Sequence, residues 1–344
     1  MKKNNILIFL FAVLICLFAA GCQKSHSSEA YDKEIFALDT IIKLRLYGDN
    51  SQAAADLAQN RIIQLEQLLS VTDPGSEVSK INMNSGEKIS VGDDVFNIIQ
   101  TAENISSRSN GSLDISVYPI VRLWGFTTDK YTVPTKDEIE KELADVDYKK
   151  IRINEEDRTI QTAKNMEIDL GAIAKGYISE QTKNLLKQQG IDSAVLSFGG
   201  NIQTIGTKNG DPWKIGVKYP FTEDSFAILK EGETAVVTSA TDQRYFEENG
   251  VMYHHIIDPK TGYPVDNGVL SATVVCDSGT LADALSTSLF VMGIDDAVEL
   301  YKNSDDFEFI MIDKQNKVYV TQGLKDKFEL TDLYKALNVE YVEK

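Results

Sequence analysis

The sequence predicts an α+β fold, with mixed or antiparallel sheets and helices packed on them. Two observations carry this. Strand-like runs follow one another at 194–198, 213–218, 227–230, 234–238 and 251–257 without a helix after each. The helical patterns gather elsewhere, mainly between 51 and 142. A doubly wound parallel sheet would alternate the two types regularly. The chain has 344 residues and is 42% hydrophobic, enough for a sizeable core.

Taken in order, residues 35–47 alternate apolar and polar around Leu38-Asp39-Thr40 and predict a strand. Residues 51–69 place Ala54, Leu57, Ala58, Ile62, Leu65 and Leu69 at helical spacing. A short helical turn is expected at 76–82 after a Pro-Gly turn, and a second helix at 95–108. Residues 111–126 form a loop-rich apolar segment with Pro119 and Trp124. A charged helix at 136–142 and a hairpin over 146–161 follow. A helix from Gly171 to about Gln189 stops at Gly190. The strand 194–198 turns at Gly199-Gly200-Asn201. The strand 269–276 feeds a helix over 279–292, then come a helix at 295–301 and a closing hairpin at 307–320.

The N-terminus carries its own signal. Lys2 and Lys3 precede an apolar run from Ile6 to Ala20, too short for an ordinary membrane span. It ends in Ala19-Ala20-Gly21-Cys22, which resembles a bacterial lipoprotein signal with Cys22 as the lipidated residue, although Ala19 stands where leucine is usual. A plain secretory signal with an incidental cysteine is the alternative. The division expected is a signal at 1–21, a polar tether at 22–31 and one domain at 32–344. Several acyl chains on Cys22 would hold that domain at the extracytoplasmic face of the cell membrane. Cys16 lies in the signal, so Cys276 is the only other cysteine of the processed chain, and no intramolecular disulfide is expected. The formal charge is −17, and loss of Lys2 and Lys3 leaves 33 basic against 52 acidic residues, near −19. Such a balance argues against non-specific binding to nucleic acid or to anionic lipid, without forbidding a local basic pocket.

Candidate chemistry concentrates in four stretches. In Ile168-Asp169-Leu170-Gly171-Ala172-Ile173-Ala174-Lys175-Gly176-Tyr177 a carboxylate ends an apolar run and a lysine sits one turn into a helix. A helix start with a lysine favours an anion, and the aspartate and a free carbonyl offer oxygens to a hard cation. A plain strand-to-helix junction has the same look. Asp283 and Thr287 stand four apart on one predicted helical face, a carboxylate and hydroxyl suited to magnesium, or a first-turn charge and a core hydroxyl. His254-His255 ends a strand before the Asp258–Gly262 turn and supplies a candidate general base, or two strand-edge histidines. Gly199-Gly200 admits close approach of a ligand or a tight turn. Gly171 to Gly176 has Walker-like spacing but does not continue as Lys-Ser/Thr. No G-x-G-x-x-G joins a strand to a helix, and no G-x-S-x-G is present.

Together these stretches resemble the ApbE family, the FAD:protein FMN transferases. The likeness runs from about Ile35 to Gly323, in family order. It comprises Leu69-Ser70 with residues 76–82, Gly111-Ser112-Leu113-Asp114, Pro119 with Leu123-Trp124-Gly125-Phe126, residues 169–176, Gly199-Gly200-Asn201, Thr238-Ser239, residues 255–264, and Asp283 with Thr287. The resemblance implies a T-fold-like architecture. It also implies transfer of FMN from FAD to a threonine or serine hydroxyl of an extracytoplasmic acceptor protein, with release of AMP. Mg2+ would be held by Asp283, Thr287 and the carbonyl of Ala172. FAD would be contacted by Asp169 and Lys175, by Ser112, Leu113 and Asp114, by Leu38 and Thr72, and by Ile257. His255 matches the histidine that takes the acceptor's proton.

Three positions depart from the family pattern. Leu38-Asp39-Thr40 replaces Met-Gly-Thr, Thr238-Ser239-Ala240 replaces Thr-Ser-Gly, and Thr72 replaces a frequent aromatic. Two other readings compete. One is an FAD pyrophosphatase giving FMN and AMP. The other is a lipoprotein that binds a ligand without catalysis, for which the repeated strand–helix lobes usual in such binders are missing.

Overall fold

The computed structural model describes residues 29–128 and 130–344. The expected signal, and Cys22 with it, lies outside the described residues. Nine strands form the main sheet: β1 (Ala30–Ala37), β2 (Thr40–Tyr47), β3 (Ser193–Phe198), β4 (Asn201–Ile205), β5 (Ala235–Ala240), β6 (Val269–Cys276), β7 (Glu308–Asp313), β8 (Lys317–Thr321) and β9 (Asn338–Val342). They lie side by side in chain order. Every neighbouring pair is antiparallel except the last, where β9 runs parallel to β8. The α+β expectation is met. β1 begins at Ala30, two residues inside the span expected as tether.

Among the described residues eight α-helices punctuate this meander: α1 (Ser51–Leu69), α2 (Glu77–Met83), α3 (Asp93–Arg108), α4 (Tyr118–Leu123), α5 (Lys136–Leu143), α6 (Ala174–Gln188), α7 (Gly279–Met292) and α8 (Ile294–Lys302). The first six fall between β2 and β3, the last two between β6 and β7. One face of the sheet packs on helices through Leu44, Leu196, Phe198, Val274 and Phe309, against Ile62, Ile178, Leu285 and Leu289. The other face packs through Val236, Val275, Ile310 and Val320 on a three-stranded sheet (Trp213–Lys218, Ser225–Glu231, Phe328–Leu330) that supplies Phe226 and Leu229. Val274 and Val275 therefore face different layers. That is why residues 269–276 are buried almost throughout instead of alternating. Among the described residues no helix is long and apolar enough to cross a membrane.

The sequence misplaces several boundaries for identifiable reasons. Residues 35–47 are not one strand but the β1–β2 hairpin, paired from Ala30↔Tyr47 to Ala37↔Thr40. Its two-residue turn is Leu38-Asp39, both at φ 55°. Asparagine and glycine normally announce such a turn, and neither is present. The departure at Asp39 thus falls where a glycine is conformationally favoured. Asp39→Gly should stabilise the protein by about 0.5–1 kcal/mol, read as a higher midpoint in urea; the ion pair it removes, Arg244 to Asp39 at 3.8 Å, is exposed and contributes little. Ala240, the other small-residue departure, sits inside β5 without a positive φ, so its methyl is tolerated. The predicted 146–161 hairpin is a short helical turn (Tyr148–Lys150) followed by Arg152–Asn154 paired with Thr159–Gln161. β4 and β9 were not expected. β9 reaches its partner only after a long excursion, which local pattern cannot reveal.

All the turns that matter gather at one end of the sheet. The β1–β2 tip, the Gly199-Gly200 turn and the end of β5 meet there; a Cβ on Gly199 would lie 2.6 Å from Thr40 Oγ1. The segment 241–268, which carries both histidines, leaves and re-enters the sheet at this same end, between β5 and β6.

Candidate active site

α6 does not start at Gly171 as expected. It starts at Ala174, and Gly171, Ala172 and Ile173 form a turn. The reason is visible at Gly176. In a regular helix the Gly176 N–H would point at the carbonyl of Ala172, four residues back. Here it donates to Asp283 Oδ2 at 2.7 Å. The exchange leaves the Ala172 carbonyl without that donor and anchors the Asp283 carboxylate. Close helix approach makes it possible: a Cβ on Gly176 would lie 2.2 Å from the Gly279 carbonyl and 2.4 Å from the Asp283 Cβ. Farther along, Glu180 accepts from Ser278 Oγ and from the N–H and Oγ1 of Thr280 at 2.7–2.9 Å, fixing the first turn of α7.

Asp283 is only 6% exposed, and burial pushes its pKa up to about 6 against the pull of Lys175 and the Gly176 N–H. A carboxylate so placed gains from a cation. Thr287, one turn on, shares a 3.2 Å hydrogen bond with Ser239 of β5, which also bonds Ser286 at 2.8 Å. Among the described residues no three His, Cys, Asp or Glu side chains gather as a metal site. The oxygens available here are of mixed type: one carboxylate, one hydroxyl and one released carbonyl. That is a set for a hard cation that keeps water or phosphate on its open positions. The residues fit Mg2+.

The two histidines separate cleanly. His254 is buried with both ring nitrogens engaged, Nε2–H donating to Val265 O at 2.9 Å and Nδ1 accepting from Ile256 N–H at 3.3 Å. Its ring stands edge-on to Phe290. His255 is half-buried. The Arg244 carbonyl accepts from both its backbone N–H, at 3.0 Å, and its Nδ1–H, at 3.1 Å. A carbonyl can only accept, so the proton sits on Nδ1 and the Nε2 lone pair is left free. Burial, with the charges of Lys175 and Arg244, lowers the pKa of His255 to about 3. The ring is neutral at physiological pH.

Asp169 faces the same space. Burial raises its pKa, while the Leu170 and Gly171 N–H groups and the charge of Arg244 pull the other way. The chain into Asp169 is clamped by Asn82, which donates to Ile168 O at 2.9 Å and accepts from its N–H at 2.8 Å. That is the work of the short 76–82 motif. Asp169 N–H donates to Ile115 O at 2.8 Å, which brings Ser112, Leu113 and Asp114 alongside. All three are buried. Asp114 spends its carboxylate locally, accepting from the N–H and Oγ of Ser116 and from Tyr148 N–H. Ile257 is buried beside Trp124, whose Nε1–H donates to Gly262 O at 2.9 Å and ties the Leu-Trp-Gly-Phe motif to the histidine turn.

The structure therefore brings Asp169, Ala172, Lys175, His255, Asp283 and Thr287 into one neighbourhood. Leu38 joins it through the hairpin tip, where Asp39 faces Arg244. Thr72 stands apart, exposed in a turn held by Ser70. Sequence reasoning missed Arg244, Glu180 and Gln203 of β4, whose Nε2 donates to Gly176 O at 3.5 Å. Arg244 sets the His255 tautomer through its backbone, so no side-chain pattern could have flagged it.

The ApbE family pattern matches residues 38–311. The chain belongs to the ApbE family. It is 31% identical over 309 residues to the FAD:protein FMN transferase of Klebsiella pneumoniae, covering 89% of this chain and 96% of that one. To the protein of the same name from Treponema pallidum it is 27% identical, covering 96% and 98%. The ApbE protein of Thermotoga maritima superposes with a TM-score of 0.80 at 31% identity over 91% of this chain and all of that one. The flavin transferase ApbE of Vibrio cholerae gives 0.76 at 27%, over 90% and 99%.

Proposed function

We propose that this ApbE-family chain is an FAD:protein FMN transferase that moves FMN from FAD to a threonine or serine hydroxyl of an extracytoplasmic protein, with Mg2+. The observation that supports it best is the free Nε2 of His255 beside Lys175 and the Asp283 carboxylate. A neutral imidazole with a fixed tautomer presents an available lone pair, and the negative charge of a bound pyrophosphate would raise its basicity above that of the empty site. Asp283, Thr287 and the Ala172 carbonyl would hold Mg2+, which when bound offsets charge on the pyrophosphate.

The chain's own groups do the rest. Ser112, Leu113, Asp114, Leu38, Asp169 and Ile257 bind and orient FAD, with Asp114 acting through the loop it braces; Thr72, which stands apart, is left out of this set. His255 Nε2 takes the acceptor's hydroxyl proton. The acceptor oxygen forms a bond to the FMN phosphorus, and the P–O bond to AMP breaks with its electron pair leaving on AMP. Lys175 offsets the charge that develops on the phosphoryl oxygens.

The test is direct. The protein from Gln23 onward is incubated with FAD, Mg2+ and an extracytoplasmic protein bearing an Asp-Gly-Ala-Thr-like motif. Flavin fluorescence that survives denaturing electrophoresis is expected. FMN and AMP without a labelled acceptor would favour the pyrophosphatase, and FAD bound unchanged would sink both. His255→Asn should slow labelling by about 10²–10⁴-fold and leave FAD affinity within a factor of a few; a full rate would remove His255 as the base. Lipidation at Cys22, with anchoring at the outer face of the cell membrane, completes the proposal. Cys22→Ser should then release the protein from the membrane fraction.

A further inference from the structure

A cavity of about 440 Å3 lies at a second three-stranded sheet, in which Thr159–Gln161 pairs with Ile89–Ser90 on one side and Arg152–Asn154 on the other, and it shares no lining residue with the catalytic cluster. Four of its lining residues are cationic: Lys149, Lys150, Arg152 and Lys164. The fold brings them together by register. Arg152 pairs across the ladder with Gln161, whose Nε2 donates to Gly86 O at 2.7 Å and closes one side. Residues 162–164 continue from that strand, and the turn carrying Lys149 and Lys150 precedes Arg152.

Such a cluster is unexpected in a chain of net charge −17. Gathering four like charges costs energy unless something offsets it. Little does. Lys150 has Asp147 at 3.6 Å, and Lys149 lies over the Tyr148 ring at 5.7 Å. Arg152 and Lys164 form no ion pair among the described residues.

We propose that this cavity binds a phosphate ester. Several lysine point charges and one arginine fork match the several anionic oxygens of an esterified phosphate, monoester or diester, better than a single carboxylate. The volume exceeds that of inorganic phosphate and leaves room for the esterified group. A soluble phosphate ester and a phospholipid headgroup share this chemistry. The wall with Lys149 and Lys150 also hangs on Asp114, which accepts from Tyr148 N–H at 2.9 Å. The site thus adjoins the back of the loop assigned to flavin.

The test uses glycerol 3-phosphate by calorimetry, and sedimentation with phosphatidylcholine vesicles with or without phosphatidylglycerol. Glycerol 3-phosphate should bind. Arg152→Glu/Lys164→Glu should weaken it at least about tenfold, and Lys175→Ala should leave it unchanged. Flavin transfer should be unaffected by the charge reversal. Binding only to phosphatidylglycerol vesicles, lost on the same reversal but kept in the exposed control Lys214→Glu/Lys335→Glu, identifies a headgroup as the source and supports the site. No binding to either probe overturns it. So does binding indifferent to Arg152 and Lys164, or binding lost with Lys175→Ala, which would belong to the flavin centre.

Discussion

Asp283→Asn should abolish flavin transfer and at the same time make the protein more stable. The first effect follows from the loss of the one carboxylate in the proposed Mg2+ set. A fall of at least about 10³-fold in rate is expected, measured as covalent flavin on the acceptor. The second follows from the state of that carboxyl in the fold. Its pKa is raised from 3.8 to about 6, chiefly by burial. Below pH 3.8 the group is protonated both folded and unfolded, and it contributes no penalty. As pH rises from there toward 6, the unfolded chain ionises first, and stability is lost. Above about pH 6 the full cost is present, about 3 kcal/mol. Asparagine carries no charge and can still accept from the Gly176 N–H through its amide oxygen. In metal-free buffer the variant should therefore unfold later than the parent at pH 8, by up to that amount. The two should converge at pH 4. Added Mg2+ should reverse the order, because it stabilises only the protein that binds it. An active variant would remove Asp283 from the metal set. An inactive variant without a stability gain would place the carboxylate in another ionic setting.

Much of this site is legible in the sequence, because its side chains sit in short stretches with recognisable spacing. Asp283 and Thr287 lie one helical turn apart, and Asp169, Ala172 and Lys175 occupy a single strand-to-helix junction. The hidden parts depend on backbone. Nothing in the sequence says that Gly176 gives its N–H to Asp283 and so releases Ala172. His254 and His255 look equivalent until the Val265 and Arg244 carbonyls distinguish them. The β1–β2 hairpin is concealed for a related reason, since Leu38 and Asp39 adopt positive φ without the residues that advertise it. At fold level the element types come through wherever apolar spacing is regular. The order of strands in the sheet does not, because each excursion between β2 and β3 or β4 and β5 carries the chain far from the strand it will next pair with.

Gly176→Ala should be among the more damaging single methyls that can be added to this protein. Helix propensity alone predicts the opposite sign, since alanine in a helix interior is favoured over glycine by about 1 kcal/mol. Packing decides against it. The new Cβ would sit 2.2 Å from the Gly279 carbonyl oxygen and 2.4 Å from the Asp283 Cβ. The first is backbone and the second is fixed to it, so no rotamer change relieves the overlap. Gly279 cannot retreat freely either, with the Gln203 amide 1.9 Å from where its own Cβ would be. The helices α6 and α7 must therefore separate. A net destabilisation of roughly 2–4 kcal/mol is expected from the overpacking. The function suffers beyond that. Separation breaks the Gly176 N–H bond to Asp283 and returns that donor to the Ala172 carbonyl, so two of the three proposed metal ligands are lost together. Residual folded protein should then need far more Mg2+ for half-maximal labelling than the parent. Gly232→Ala is the control, since its backbone has no positive φ and nothing lies within 4 Å of the added methyl. Its unfolding midpoint should match or slightly exceed the parent's. If Gly176→Ala matched that control in both stability and Mg2+ requirement, the contact between the two helix starts would not be what organises the site.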